Sequence, residues 1–270
     1  MKKNNQTPPT PIPAPYEKEL FKTPFSAKYW KLAFKEFTNW RTLVIAALII
    51  AMRVAIKSVS IPIVPGLYIG IDFIVNSVGS MIYGPIVALA AGAVSDTIGA
   101  ILFPKGAYFF PFIFVEMMSG FVFALFLYRQ KLTSWRVVLS RLAVVVICNF
   151  IINPAIMTVY YSLIMDKGYE FITIARVIKN AALFPLECII LVFWLGAVSF
   201  ATYRMGLTYS MPEKLKLKPV HYVVLILSVG IAIGAIFGYM YYKKASDANK
   251  TSLAACCMIP ETAITECITN

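Results

Sequence analysis

The feature that most limits how this chain can fold is a succession of apolar runs separated only by short breaks. They cover about 42–61, 68–82, 86–103, 107–128, 137–165, 172–203 and 220–242. A helix needs roughly 20 apolar residues to cross the hydrocarbon of a bilayer. Backbone groups in lipid must bond within their own segment, so runs of this kind read as membrane helices. The alternating pattern of a membrane β-barrel is absent. The breaks are made of helix-stopping residues: Pro62, Pro65 and Gly66, then Tyr83-Gly84-Pro85 as a tight turn, then Pro104-Lys105-Gly106, and later Asp166-Lys167-Gly168. Composition agrees, with 59% hydrophobic and 14% charged residues against about 25% charged in a soluble domain.

The expected architecture is an all-α polytopic membrane bundle. Residues 1–41 form an N-terminal tail, Pro-rich at first and then an amphipathic interfacial stretch from about Phe25 to Trp40. Residues 42–203 carry six spans, 204–219 a basic linker, 220–242 an additional span and 243–270 a polar tail. The net charge is +12, and the excess marks loops. Lys18, Lys22, Lys28, Lys31, Lys35 and Arg41 precede the first span, and the loops after the fourth and sixth spans are also basic. The positive-inside rule therefore places the N-terminus in the cytoplasm. No soluble basic face exists for nucleic acid.

That orientation sorts the polar residues by depth. Arg53, Lys57, Asp72, Asn76, Asp96, Glu116, Asn153, Arg176, Lys179 and Asn180 are all expected in the outer leaflet, with Asn149 and Glu187 near mid-depth. Charges at bilayer depth are costly unless paired or hydrated, so they are candidate functional groups. A shared depth suggests one cavity open to the outside. Arg176 and Lys179, close together on one helix, suit an anion. Arg53 or Lys57 could equally pair with Asp96 or Glu116 as a buried ion pair. The inner half of the first span differs: Ala47, Ala51 and Ala55 form a smooth ridge, suited either to packing within the bundle or to receiving a partner subunit.

Enzyme chemistry finds little support. His221 is the single histidine and no P-loop is present. The five cysteines have no disulfide or zinc spacing.

Several stretches resemble a known family. They are Tyr83-Gly84-Pro85, Gly92-Ala93-Val94-Ser95-Asp96, Phe103-Pro104-Lys105-Gly106-Ala107-Tyr108-Phe109, Asn149 to Pro154, Arg176-Val177-Ile178-Lys179-Asn180 and Phe184-Pro185-Leu186-Glu187. Together they are similar to the substrate-binding S components of energy-coupling factor (ECF) vitamin transporters, above all the folate-specific ones. The resemblance covers about 41–203. It implies a six-helix core with an outward pocket, to which the chain adds one C-terminal span. It implies a membrane coupling subunit docked on Ala47, Ala51 and Ala55, and two ATP-binding-cassette ATPases that use the ATP, with no cofactor in this chain. It implies a folate site at the cell membrane. Tyr68, Tyr108, Phe109 and Phe112 would stack on the rings, Lys105, Arg176 and Lys179 would hold carboxylates, and Asp96 or Glu116 would meet the pterin amino group. Arg53, Asn149, Asn153 and Asn180 complete the expected site. After Phe109 the chain reads Phe110-Pro111-Phe112-Ile113, where folate members typically read Pro-Gly-Phe-Thr. Another small vitamin, a nucleobase-like solute, or a scaffold role without a solute therefore stand as alternatives.

Overall fold

A computed structural model describes residues 20–21, 23–58, 61–64, 67–104, 109–164, 174–208, 230 and 234; side chains at 61–64, 67–69, 164, 174–176, 178, 179 and 182 are not described. Apart from 230 and 234, the expected span 220–242 and the tail 243–270 lie outside these residues.

The chain is a helix bundle. Helix α1, Ala27–Thr38, is the amphipathic stretch. Asn39 interrupts it, and α2, Trp40–Ser58, leaves at 77° to it. Two short antiparallel strands follow, β1 (Ile61–Val64) and β2 (Leu67–Ile69). The all-α class holds, with this short hairpin as the one pair of strands among the described residues. Helix α2 ends at Ser58, and Tyr68 lies in β2 rather than opening a second span.

Helix α3, Asp72–Leu102, is broken at Gly84, where φ is 78° and ψ −179°. Only glycine occupies that backbone region without strain. The chain turns back there. The Asn76 side chain and the Ala88 carbonyl both lie 3.2 Å from the point where a Cβ on Gly120 would sit. Twelve residues of straight helix would separate 76 from 88 by about 18 Å. Residues 72–83 and 85–102 are therefore two arms of a hairpin, as Tyr83-Gly84-Pro85 suggested.

Helix α4, Ile113–Leu127, follows one 3₁₀ turn, Phe110–Phe112. It packs closely on the second arm of α3, where Gly92 faces the Met117 backbone. Helix α5, Ser134–Val144, runs through the π-helical stretch Val145–Ile152 into α6, Asn153–Ile164. The wide turns sit directly before Pro154, which has no N–H to give the carbonyl of Phe150. Helix α7, Ile174–Arg204, contains Pro185. Among the described residues four helical stretches are long and apolar enough to span a membrane, or five if α1 and α2 count as one bent span. The protein is a multi-pass helical membrane protein.

Two apolar clusters hold the bundle. One joins α1, α2, α3 and the end of α4 through Tyr29, Ala46, Ile49, Tyr83 and Tyr128. The other joins α3, α4, α5, the π-turns and α7 through Phe73, Phe123, Val137, Leu191 and Leu195.

Candidate binding cavity

Antiparallel α2 and α4 give the bundle two distinct ends. The end with α1 is closed by the first cluster. The other end holds a cavity of about 200 Å³ bounded by α3, α4, α5, the π-turns and α7. Its wall includes Asp72, Phe73, Glu116, Ser119, Arg141, Cys148, Asn149, Asn180 and Glu187.

Glu116 lies in the first turn of α4 and faces α2. Arg53 of α2 is fully buried and donates to it at 2.5 Å, and Lys57, one turn on, approaches its other oxygen at 3.3 Å. Lys57 also holds Asp96 of α3 at 2.9 Å. Its stem reaches there across Gly99, where an added Cβ would lie 2.9 Å from Cδ. Both pairings left open by the sequence are thus made at once. Arg53 and Asp96 do not line the cavity; they brace Glu116 and Lys57 from behind.

The opposite wall carries a second pair. Arg141 of α5 bonds Glu187 of α7 through Nη2 at 2.7 Å and Nε at 2.9 Å. Its guanidinium lies 4.5 Å from the ring centroid of Phe73, a cation–π distance. Asn149 donates to Asn180 at 2.8 Å, bridging the π-turns and α7. π-turns often mark functional positions; here they bring Cys148 and Asn149, adjacent in sequence, into one wall. Between the two pairs stands Asp72, at the start of α3. It has no hydrogen bond or ion pair among the described residues.

Of the residues expected at a site, Glu116, Asn149 and Asn180 reach the cavity. Asn153 does not. Phe109 and Phe112 lie just beyond Glu116; Phe109 packs edge-on against Phe112 and against Tyr160, 5.2 Å between the Phe109 and Tyr160 centroids, and Phe112 lies tilted to Tyr160 at 6.4 Å. Lys105 and Tyr108, and the side chains of Tyr68, Arg176 and Lys179, lie outside the described residues. Ala47, Ala51 and Ala55 are all exposed, turned away from the buried Ala46, Ile49 and Arg53. Within the described residues the ridge packs on nothing in its own chain.

Sequence reasoning missed Arg141, Tyr160 and the cavity role of Asp72. Arg141 lies in the first turns of the fifth apolar run and is not singled out among its polar residues. Only the turn of α5 toward α7 reveals its partner.

The geometry can be set beside known proteins. Residues 37–198 match the profile of a family described as ECF-type riboflavin transporter, S component. The folate transporter FolT of Clostridium novyi is 31% identical over 127 residues, which is 47% of this chain and 72% of that protein. The folate transporter FolT of Leuconostoc mesenteroides is 30% identical over 150 residues, covering 54% of this chain and 80% of the relative. A crystal structure of FolT bound with folic acid shares 27% identity and superposes with a TM-score of 0.52, over 64% of this chain and 99% of that one.

Proposed function

Because the chain belongs to the family of ECF-type riboflavin transporter S components, we propose that it is the substrate-binding subunit of an ATP-driven importer whose substrate is folate. As a family member it is a membrane transport component and binds a small molecule. Two names bear on the choice of vitamin. The family carries riboflavin in its description, while the curated relatives are folate transporters.

The observation that favours folate is the carboxylate of Asp72, without a hydrogen bond or ion pair among the described residues, in the same cavity wall as the amides of Asn149 and Asn180. A pterin edge presents an amino group and a ring N–H side by side, and a carboxylate accepts from both. Riboflavin has no amino group to offer. Covering this half-buried carboxylate without giving it donors is costly, so a ligand lacking them binds more weakly. The cavity of about 200 Å³ is below the roughly 300–1,000 Å³ of sites for whole drug-sized ligands. It suits the ring system, with the glutamate tail leaving past Phe109, Phe112 and Tyr160. Lys105, Arg176 and Lys179 are the cations proposed to meet the carboxylates.

The remaining assignments follow from the family. The exposed ridge of Ala47, Ala51 and Ala55 is proposed to receive the coupling subunit. Two ATPases bound to that subunit would hydrolyse the ATP, with the N-terminus in the cytoplasm. An additional span over 220–242 would extend a six-helix core.

Equilibrium titration of the purified protein with folic acid and with riboflavin tests the reading. Saturable folate binding, weakened at least about tenfold in Asp72→Asn, is expected; tenfold corresponds to about 1.4 kcal/mol. Saturable binding of riboflavin with none of folate would reverse the assignment. Co-purification with an ATPase pair separates a transport subunit from a scaffold.

A further inference from the structure

Helix α1 precedes most of the family-matched region, which begins at residue 37, and the cavity does not use it. It is nevertheless bound firmly to the bundle. Its buried stripe is Tyr29, Ala33 and Glu36. The Tyr29 ring packs 5.6 Å from Tyr128, and its hydroxyl donates to the Ala124 carbonyl at 3.3 Å. Glu36 accepts from the Tyr128 hydroxyl and from Arg129, both at 3.2 Å, and from the Thr42 hydroxyl at 2.8 Å.

The outer surface of α1 is sorted into two flanks. At about 100° per residue, Trp30, Phe34 and Phe37 fall on one side and Lys31 and Lys35 on the other. Phe34 is 61% exposed and Trp40, at the bend, 69%. Such aromatic exposure beside lysines is the pattern of a helix lying in a membrane interface. The bend supplies an independent reason. Helix α2 enters its apolar run at Thr42, and α1 stands at 77° to it. A helix so placed at the end of a span lies close to the bilayer plane.

Among the described residues, the exposed charge at this end has one sign. The lone carboxylate of α1, Glu36, is buried against Arg129. The other four described carboxylates, Asp72, Asp96, Glu116 and Glu187, belong to the cavity end. Lys31, Lys35, Arg41, Lys131 and Arg204 are exposed. We propose that α1 is an anionic-lipid-binding helix: its aromatic flank enters the acyl boundary, while Lys31, Lys35 and Arg41 hold phospholipid phosphates. The Glu36–Arg129 pair transmits that grip to the α4–α5 connection, fixing this end of the bundle at headgroup level. The inference is independent of which vitamin is bound.

Native mass spectrometry of the full-length protein, in micelles with equal phosphatidylglycerol and phosphatidylcholine, reads the headgroup preference. Retention of phosphatidylglycerol is expected to exceed phosphatidylcholine by about fivefold or more, from roughly 1 kcal/mol per basic residue near an anionic surface. The triple variant Lys31→Gln, Lys35→Gln, Arg41→Gln should lose the preference, and arginine at 31 and 35 should keep it. A spin label at Phe34→Cys, with Cys256, Cys257 and Cys267 changed to Ser, should collide with oxygen rather than aqueous nickel in bilayers. Equal retention of both lipids, or a preference that survives the triple variant, would overturn the proposal. So would a label open to nickel, or one shielded from both reagents by a protein partner.

Discussion

Arg53 shows how tightly single residues are committed here. Its side chain has no exposure, yet among the described residues Nε and Nη1 find no hydrogen-bond partner, and the Tyr83 hydroxyl is in the same position. One strong bond to Glu116 carries the charge. Removing Glu116 leaves Arg53 buried with no other partner among the described residues, and removing Arg53 leaves Glu116 with the longer Lys57 contact alone; breaking such a buried pair costs on the order of 3–5 kcal/mol. Arg53→Ala is therefore expected to lower the unfolding midpoint in detergent sharply. Replacing both residues with apolar ones of similar size should recover much of the loss, because the unpaired charge is gone. Recovery measured by a double-mutant cycle checks the pairing directly. A substrate role for Arg53 acting without Glu116 predicts no such recovery. At this scale the sequence grouped Arg53, Lys57, Asp96 and Glu116 at one depth, and the structure has them at one end of the bundle. It could not choose partners, since Arg53 and Glu116 stand 63 positions apart, and Lys57 proves to serve two acids.

At the scale of elements, two glycines set the geometry behind the cavity. Gly84 takes the left-handed, extended conformation that folds α3 into arms, and a Cβ there would also meet the Tyr128 ring at 3.0 Å. Gly84→Ala is expected to cost about 1–3 kcal/mol for the backbone alone, read as a lower thermal midpoint. Gly92 is a different case. Its Cβ would lie 2.8 Å from the Met117 Cα and 2.9 Å from the Glu116 carbonyl. Those are backbone atoms and cannot swing aside, so Gly92→Ala must push α4 off α3. Because Glu116 rides on that part of α4, ligand affinity should fall together with stability. Unchanged affinity in a correctly folded Gly92→Ala would show that the cavity does not depend on this contact. The turn at Tyr83-Gly84-Pro85 was legible from residue type. The hairpin Ile61–Val64 with Leu67–Ile69 was not, because its breakers mark a stop without saying what replaces the helix. The π-turns escaped for a related reason: an apolar run looks the same whether its turns hold 3.6 residues or more.

The whole molecule divides its polar groups between two ends with different work. The α1 end buries one carboxylate and exposes cations, while the cavity end gathers the other described acids with Arg53, Lys57 and Arg141. A ligand held among α3, α4, α5 and α7 links elements that otherwise meet through few polar contacts. Bound folate should therefore raise the unfolding midpoint of the purified protein. At a hundred times its dissociation constant the stabilisation is about 2.7 kcal/mol. A midpoint unmoved by saturating folate would argue that the cavity is not its site. Helical class, membrane embedding and the separation of a polar end from a smooth one follow from hydropathy and charge, because lipid admits few alternatives to apolar helices. The sequence by itself determined those. Only the tertiary structure decided that Lys57 bridges Asp96 and Glu116, that Arg141 turns to Glu187, that Asp72 has no hydrogen bond or ion pair among the described residues, and that Ala47, Ala51 and Ala55 face outward. Each depends on the rotation and approach of helices distant in the chain, and periodicity within one helix carries no information about its neighbour's azimuth.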